Sequence, residues 1–169
     1  MVQSLRNGVS VALVSSFIAA LSLLGMPEQG HAQGSASASA QQESGGRILR
    51  SLSSEQLKAI MVGEGYAVTT DDDGDLVWKV EGYRALILFA KDRESIQFRA
   101  AFGDGNATLR KVNEWNKRVK YSRSYLDDDG NPVLELDLDL AGGVTQLRIL
   151  DFLKTCRVSF SAWNADVVR

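Results

Sequence analysis

The chain has 169 residues, of which 44% are apolar and 24% are charged, and its formal net charge is −2 at pH 7. This length suits one domain with a hydrophobic core and is short for two. The near-neutral charge argues against nucleic acid as a partner, because domains that bind nucleic acid usually present a basic face. The single cysteine, Cys156, excludes an intrachain disulfide framework.

The first 32 residues have the pattern of a cleaved signal peptide. Arg6 precedes an apolar run from Val9 to Met26, and a short polar stretch with small residues ends at Ala32. Small residues suit signal peptidase, so we predict cleavage after Ala32, with the Ala-Ser-Ala repeats at 36–40 as alternative sites. The apolar run is also close to the lower length limit for a membrane span, so a retained anchor is the other interpretation.

The residues that follow divide into a linker and a domain. Residues 33–46 are rich in Ser, Ala, Gln and Gly and have no branched or aromatic side chain. Such a segment cannot bury enough apolar surface to offset the entropy of ordering it, so it is predicted to be a flexible linker. Residues 47–169 remain as one folded domain.

Cleavage would change the available chemistry. It would remove His31, the only histidine, and the net charge would stay at −2 because Arg6 and Glu28 leave together. The mature chain then lacks a histidine base and a zinc ligand set, and its single thiol has no histidine to activate it. No glycine-rich phosphate loop is present either, so the sequence predicts no catalytic residue, no metal ligand and no cofactor.

The first half of the domain is predicted to be a helix followed by four strands. Ser53 to Gln56 form a capping box at the start of the helix, and glycines at 63 and 65 end it. Strands are expected over residues 66–70, 76–80, 83–89 and 96–102, separated by turns rich in Asp, Glu and Gly.

The second half is predicted to be a helix, a hairpin and a long helix. Asn106 is expected to cap a helix over 107–118 with the buried stripe Leu109, Val112, Trp115 and Val119. Strands over 119–126 and 133–140 flank an aspartate-rich turn, and the second one is expected to bury Leu134, Leu136, Leu138 and Leu140. The last helix, from about Val144 to near Asp166, has the apolar face Ile149, Phe152, Leu153, Cys156, Phe160, Trp163 and Val167.

The element order α-β-β-β-β-α-β-β-α places helices between antiparallel hairpins. This order is typical of the α+β class, with an antiparallel sheet of about six strands and helices packed on one side.

Several segments of the second half form a combined pattern: Val112 to Asn116, Tyr121 to Leu126, the turn and strand from Asp127 to Glu135, Asp137 to Asp139, and Gly142 to Val144. Together these segments resemble the YbjN family. The match covers about Leu52 to Phe160 and is strongest from Asn113 to Val144. Members are described as bacterial sensory transduction regulators. The resemblance implies a fold similar to that of type III secretion chaperones, which bind protein segments along their surface, and it implies no agreed enzymatic activity, cofactor or catalytic residue.

The two aspartate-rich turns, 71–75 and 127–132, invite a calcium hypothesis. An EF-hand loop needs oxygen ligands at positions 1, 3, 5 and 12 around a glycine at position 6, and neither Gly74 nor Gly130 gives that spacing. Hairpin turn chemistry is the simpler interpretation, because Asp and Gly are the residues that such turns favour. A weak surface calcium site stays open as an alternative.

The second hairpin carries an acidic row, Glu135, Asp137 and Asp139, which alternation predicts to face outward. A solvated face paired with Lys or Arg is the simplest interpretation, and a docking stripe for a partner is the functional one. A glycosidase-like carboxylate pair would need a desolvated acid, which an exposed strand face does not provide.

Three residues of the middle helix, Asn113, Trp115 and Asn116, are also candidates. An amide pair could bind a peptide backbone, but satisfying buried backbone groups where the helix meets the sheet is the preferred interpretation. Trp115 is expected in the core, as are Trp78 and Trp163. Cys156 is expected to be a buried, unreactive side chain.

Leu147, Leu150 and Val158 form a second apolar strip on the last helix, which something must cover. The sequence therefore predicts an exported, non-enzymatic module, periplasmic or secreted, that binds an envelope or secreted protein in a chaperone-like or regulatory role. A homodimer is a second way to cover the strip. Membrane contact is expected only through an uncleaved leader. A calcium-responsive or small-ligand sensor is the alternative function, and a hydrolase that uses only carboxylates is a third class.

Overall fold

The computed structural model describes residues 46–103 and 106–169. The predicted leader, its cleavage site and all but the last residue of the predicted linker lie outside these residues. None of the described helices is both long enough and apolar enough to cross a membrane.

The described residues form three α-helices and eight strands. The helices are α1 (Ser54–Gly63), α2 (Leu109–Arg118) and α3 (Gln146–Trp163), and α3 continues into a π-helical turn, Asn164–Val168. The strands are β1 (Ile48–Leu49), β2 (Val68–Thr70), β3 (Leu76–Val80), β4 (Tyr83–Phe89), β5 (Ser95–Ala101), β6 (Arg123–Leu126), β7 (Pro132–Asp139) and β8 (Val144–Thr145). The predicted α+β class is confirmed, as is the order of the main elements.

Six strands form one antiparallel sheet in the order β2-β3-β4-β5-β7-β6. The last hairpin, β6 and β7, joins the sheet through β7. Strand β7 pairs with β5 over seven residue pairs, from Ser95 opposite Asp139 to Ala101 opposite Val133. The shorter β6 pairs with β7 only from Leu126 opposite Pro132 to Arg123 opposite Glu135. The two ends of β7 therefore differ, because one end has a neighbour on both sides and the other on one side.

The core lies between one face of this sheet and the helices. The apolar side chains at alternate positions of β3, β5 and β7 are buried, as the period of two requires. The predicted stripe of α3 is buried over its whole length, and Trp78, Trp115 and Trp163 are each no more than 1% exposed. The core predicted for β7 and the last helix is therefore confirmed, including Leu134, Leu136, Leu138 and Leu140.

Three local predictions are wrong. Thr108, not Asn106, caps α2, because the Thr108 hydroxyl accepts a hydrogen bond from the Lys111 amide. The helix consequently begins two residues later than expected, and Leu109 is 67% exposed instead of buried. The predicted strand over 119–126 shortens to β6.

A two-stranded pairing of β1 with β8 is the element that the sequence did not predict. It begins beside Gly143, whose φ of +89° lies in the region that favours glycine. A Cβ atom at Gly143 would also lie 2.6 Å from Ile48 Cγ2. This glycine therefore allows the chain to turn from β7 into α3 while the N-terminal strand of the domain packs against the turn.

Candidate functional site: the open edge of β7

The last four residues of β7, Leu136 to Asp139, have a strand neighbour on one side only. They pair with β5, but their pairing with β6 ends at Glu135. On the β6 side this stretch is therefore an open sheet edge in the described part of the chain. We call Leu136 to Asp139 the open edge.

The backbone direction of each residue at the open edge follows from the antiparallel ladder. The Phe102 amide donates to the Pro132 carbonyl at 3.2 Å, and the Leu140 amide donates to the Glu94 carbonyl at 2.8 Å. Hydrogen-bonded pairs alternate along such a ladder, so even-numbered residues of β7 bond to β5. The N–H and C=O groups of Asp137 and Asp139 therefore point away from β5, towards the place where β6 would continue.

The end of β6 is fixed by polar contacts from α2. Asn116 holds Ser124 with two hydrogen bonds, from its Nδ2 to the Ser124 carbonyl at 2.8 Å and from the Ser124 amide to its Oδ1 at 2.9 Å. Trp115 Nε1 donates to the Ser122 hydroxyl at 3.1 Å. Tyr121 then has a φ of +63°, which turns the chain away from the sheet. These contacts support the structural interpretation of Asn116, and Trp115 lies in the core.

A groove of about 320 Å³ lies between the open edge and α3. Its residues from the sheet side are Leu136, Asp137 and the 81%-exposed Tyr121. One face of α3 forms the other wall, with Arg148, Asp151, Phe152 and Thr155. Arg148 and Asp151 form an ion pair at 2.8 Å, so the charged part of this wall is neutral overall. An apolar floor beside free backbone groups is the geometry that accepts an extended peptide.

Glu135 does not face solvent as predicted, since its side chain is only 5% exposed. Arg123 donates from Nε to Oε2 at 2.7 Å, and its second contact with the same oxygen comes from a terminal guanidinium nitrogen. The Tyr125 hydroxyl donates to Oε1 at 2.9 Å, and Arg99 Nε lies 3.5 Å from the same oxygen. The prediction failed because these long side chains of the neighbouring strands cover the carboxylate, which alternation alone does not reveal.

This cluster also changes the titration of its members. The hydrogen bond from Arg123 to Glu135, with the charge of that carboxylate, raises the pKa of Arg123. Burial raises the pKa of Tyr125, and its hydrogen bond to Glu135 adds to the shift. Both side chains therefore keep their protons across the neutral pH range. Their contacts with Glu135 connect β6 with β7 across that range.

Asp137 and Asp139 are exposed, as predicted, on the sheet face away from the helices. Gln97 Nε2 donates to Asp137 Oδ1 at 2.8 Å, and the Ala141 amide donates to Asp139 Oδ1 at 2.9 Å. Neither carboxylate takes part in an ion pair with another residue that the structure describes. The open edge therefore carries two negative charges that the described chain leaves unpaired.

The two aspartate-rich turns are built alike. In each, the first aspartate accepts two backbone amides: Asp71 Oδ1 from residues 73 and 75, and Asp127 Oδ1 from residues 129 and 131. The bond from the Asn131 amide is the largest cause of the lowered pKa of Asp127. These contacts are those of turn chemistry. Among the described residues, no three His, Cys, Asp or Glu side chains are grouped so as to hold a metal ion.

The remaining candidates lie elsewhere. Cys156 is buried, and burial raises the pKa of its thiol well above the ordinary value, so the thiolate is disfavoured. Asn113 is exposed on α2 and does not line the groove. Leu147 is 61% exposed and Val158 is 71% exposed, but Leu150 packs against the core. The second apolar strip of the last helix is therefore interrupted.

The opposite edge of the sheet is less suited to binding a strand. Strand β2 is only three residues long, and Lys58 donates to the Thr70 hydroxyl at 3.1 Å beside it. Short edge strands flanked by lysine are a common protection against unwanted strand pairing. This contrast singles out the edge at β7.

The sequence reasoning missed the groove residues Tyr121, Arg148 and Thr155. It also missed Arg99, Arg123 and Tyr125 around Glu135. The contact of Arg123 with Glu135 could have been predicted, because an antiparallel hairpin around the turn at 127–131 brings these two residues opposite each other. No comparable signal marks Tyr121, where a non-glycine residue adopts a positive φ.

Comparisons with known proteins agree with this fold. The model of the YbjN family, described as "Putative bacterial sensory transduction regulator", matches residues 53–165. The crystal structure of YbjN from E. coli superposes with a TM-score of 0.56 at 16% identity, covering 72% of this chain and 98% of that one. At this identity the likeness shows the fold alone.

A second solved structure is more distant. It is the Yersinia pestis type III secretion chaperone SycH in complex with a stable fragment of YscM2, with a TM-score of 0.45 and 13% identity. The superposition covers 60% of this chain and 91% of that one. No curated protein matches the sequence.

Replacing the buried carboxylate tests the role of the cluster around Glu135. Glu135→Ala leaves Arg123 and Tyr125 without their hydrogen-bond acceptor and Arg99 without its ion-pair partner, and hydrogen bonds to a charged group contribute about 1.5–3 kcal/mol each. Because both arginines are partly exposed and regain water, we expect a loss of about 2 kcal/mol in the free energy of unfolding. Urea denaturation measures it.

Asp137→Ala is the matched control, since it removes an exposed carboxylate two residues along the same strand. We expect a change of about 0.5 kcal/mol or less. Equal losses in the two variants would contradict a structural role that is specific to Glu135.

Proposed function

Since the chain belongs to the YbjN family, we propose that it is an exported, non-enzymatic module that binds a polypeptide partner by accepting an extended segment at the open edge of β7. The role is regulatory or chaperone-like, in the sense that a segment of another protein is held in an ordered conformation. The partner is an envelope or secreted protein, which follows from the predicted leader.

The free backbone of the open edge is the observation that carries this proposal. Asp137 and Asp139 each present one N–H and one C=O group to the vacant side, so an added strand could form four hydrogen bonds. Each such bond contributes about 0.5–1.5 kcal/mol net, which gives roughly 2–6 kcal/mol before the segment's ordering is counted. Binding of moderate strength, suited to a reversible partner, is what we expect.

The groove supports the same proposal from the other side. An added strand directs alternate side chains into the groove beside α3, where the exposed ring of Tyr121 offers apolar contact above the nearly buried Leu136 and Phe152. Backbone pairing together with pockets for alternate side chains is the usual basis of peptide recognition by strand addition. The site needs no movement of β7, because β5 already pairs with its whole length.

The non-enzymatic part of the proposal rests on the chemistry of the described residues. The thiol of Cys156 is buried and protonated. The buried carboxylate of Glu135 is saturated by its cationic and hydroxyl partners and does not line the groove. Asp137 and Asp139 lie exposed on an unenclosed strand face, and the exposed Asp151 in the groove wall is paired with Arg148. No residue of the groove therefore combines access with an activated group.

Export is tested by the mass of the chain recovered from the cell envelope or the medium of a host that processes signal peptides. We expect a mature chain that begins at Gln33, because the small residues before it suit signal peptidase. Substituting Ala32 with a bulky residue, Ala32→Phe, should block cleavage. Recovery of the intact chain with Met1 from the cytoplasm would contradict the proposal.

Strand addition is tested by removing one edge donor. The N–H group that Asp137→Pro removes points to the vacant side, so the pairing of β7 with β5 is kept. An edge strand also tolerates the proline ring at such a position. We expect the variant to fold and to lose at least tenfold in affinity for a seven-residue peptide, Thr-Lys-Val-Lys-Val-Lys-Thr, followed by fluorescence anisotropy.

The control is Asp137→Asn, which keeps the backbone donor. Methylating the backbone nitrogens of those peptide residues whose N–H groups face the open edge should abolish binding as well. This change leaves the protein unaltered. If neither the proline variant nor the methylated peptide weakens binding, strand addition at this edge is wrong.

A further inference from the structure

The geometry of the open edge points to the kind of segment that it accepts, and this inference rests on the proposed function. We infer that the partner segment alternates basic and apolar residues, with Lys or Arg beside Asp137 and Asp139 and the apolar residues in the groove against α3. The occupant is thus a basic segment of a different protein rather than a second copy of this chain.

The alternation follows from the two faces of β7. Successive residues of a strand point to opposite faces of the sheet, and residues opposite each other in an antiparallel pair share a face. Residues of an added strand opposite Asp137 and Asp139 therefore lie on the open face with these carboxylates. Residues opposite Leu136 and Leu138 turn towards the helices and the groove.

The charge on the open face selects a basic side chain. Asp137 and Asp139 are exposed, and their described side-chain contacts are hydrogen bonds to neutral groups, Gln97 Nε2 and the Ala141 amide. The nearest strand cations, Arg99 and Arg123, are engaged with Glu135. An added Lys or Arg would therefore meet carboxylates that form no ion pair with any described residue, whereas an added Glu or Asp would meet like charge.

The groove selects an apolar side chain. Its apolar surface is chiefly the ring of Tyr121, which is 81% exposed, above the nearly buried Leu136 and Phe152, and its volume is about 320 Å³. The charges at its wall, Arg148 and Asp151, already pair with each other at 2.8 Å. A charged side chain directed into the groove would lose water without gaining a partner, while an apolar one buries surface at no such cost.

A second copy of the chain is a poor occupant for the same electrostatic reason. Two open edges that pair in an antiparallel arrangement bring the Asp137 and Asp139 carboxylates of one copy against those of the other. Like charges directly opposite across a strand pair are destabilising. The acidic edge therefore also protects the chain against pairing with itself.

The test uses the full chain and three labelled peptides that differ only in the three basic positions. Fluorescence anisotropy measures Kd for Thr-Lys-Val-Lys-Val-Lys-Thr and for the peptides with Glu or Gln in place of Lys. We expect the Lys peptide to bind about three- to tenfold more tightly than the Gln peptide and the Glu peptide to bind most weakly. The Lys preference should shrink as salt is raised.

A charge exchange locates the effect. Asp137→Lys should reverse the order of the Lys and Glu peptides. Asp72→Lys is the matched control, because it changes the net charge equally from an exposed turn at the far edge of the sheet. If Asp137→Lys does not fold, Asp137→Asn should still weaken the Lys peptide about two- to threefold and leave the Gln peptide unchanged.

The outcomes separate the two levels of the proposal. Equal Kd values for all three peptides, with loss of binding in Asp137→Pro, would overturn the basic preference and leave strand addition standing. An equal effect of Asp72→Lys would overturn the assignment of the preference to the open edge. Absence of binding by every peptide at millimolar concentration would overturn both proposals, and concentration-dependent dimers that Asp137→Pro abolishes would assign the edge to a second copy.

Discussion

The short β6 strand leaves half of β7 without a second strand neighbour, and the proposed binding site depends on this. Asn116 bonds both the N–H and the C=O of Ser124, and Trp163 on α3 donates to the buried Ser124 hydroxyl at 2.8 Å. Ser124 is thereby connected to both α2 and α3, which fixes its position along β7. The strand starts at Arg123 as a result, and the half of β7 beyond Glu135 is left with one neighbour.

The rest of β7 is held firmly, which gives the open edge its fixed geometry. Its leucines are buried in the core, β5 pairs with its full length, and the carboxylate of Glu135 is clamped by side chains from β5 and β6. A vacant edge on a rigid strand lowers the cost of ordering the interface, because only the incoming segment loses conformational freedom. The exposed acids on the same stretch hinder pairing with acidic strands.

Most of the fold could be predicted because it depends on local patterns. Three such patterns each predict the conformation from a few neighbouring residues. They are the capping box at Ser53, the alternation in β3 and β7, and the apolar face of α3. Two of the failures occurred where a distant contact decides the outcome. Nothing near Tyr121 indicates that the strand will stop, because the cause is the hold of α2 on Ser122 and Ser124. Glu135 was misplaced for a related reason, because arginines from neighbouring strands cover it. Leu109 was misplaced by a local error, since the helix cap is Thr108, two residues after the expected one.

The amide hydrogen exchange of β7, followed residue by residue by NMR in the full chain, tests the central claim most directly. The account predicts an alternating pattern: the amides of Leu136 and Leu138, bonded to β5, should exchange at least about a hundredfold more slowly than those of Asp137 and Asp139. Adding the basic–apolar peptide should slow exchange at Asp137 and Asp139 and leave the leucines unchanged. Uniformly slow exchange of all four amides in the free chain would mean that the edge is already covered, and it would contradict the account.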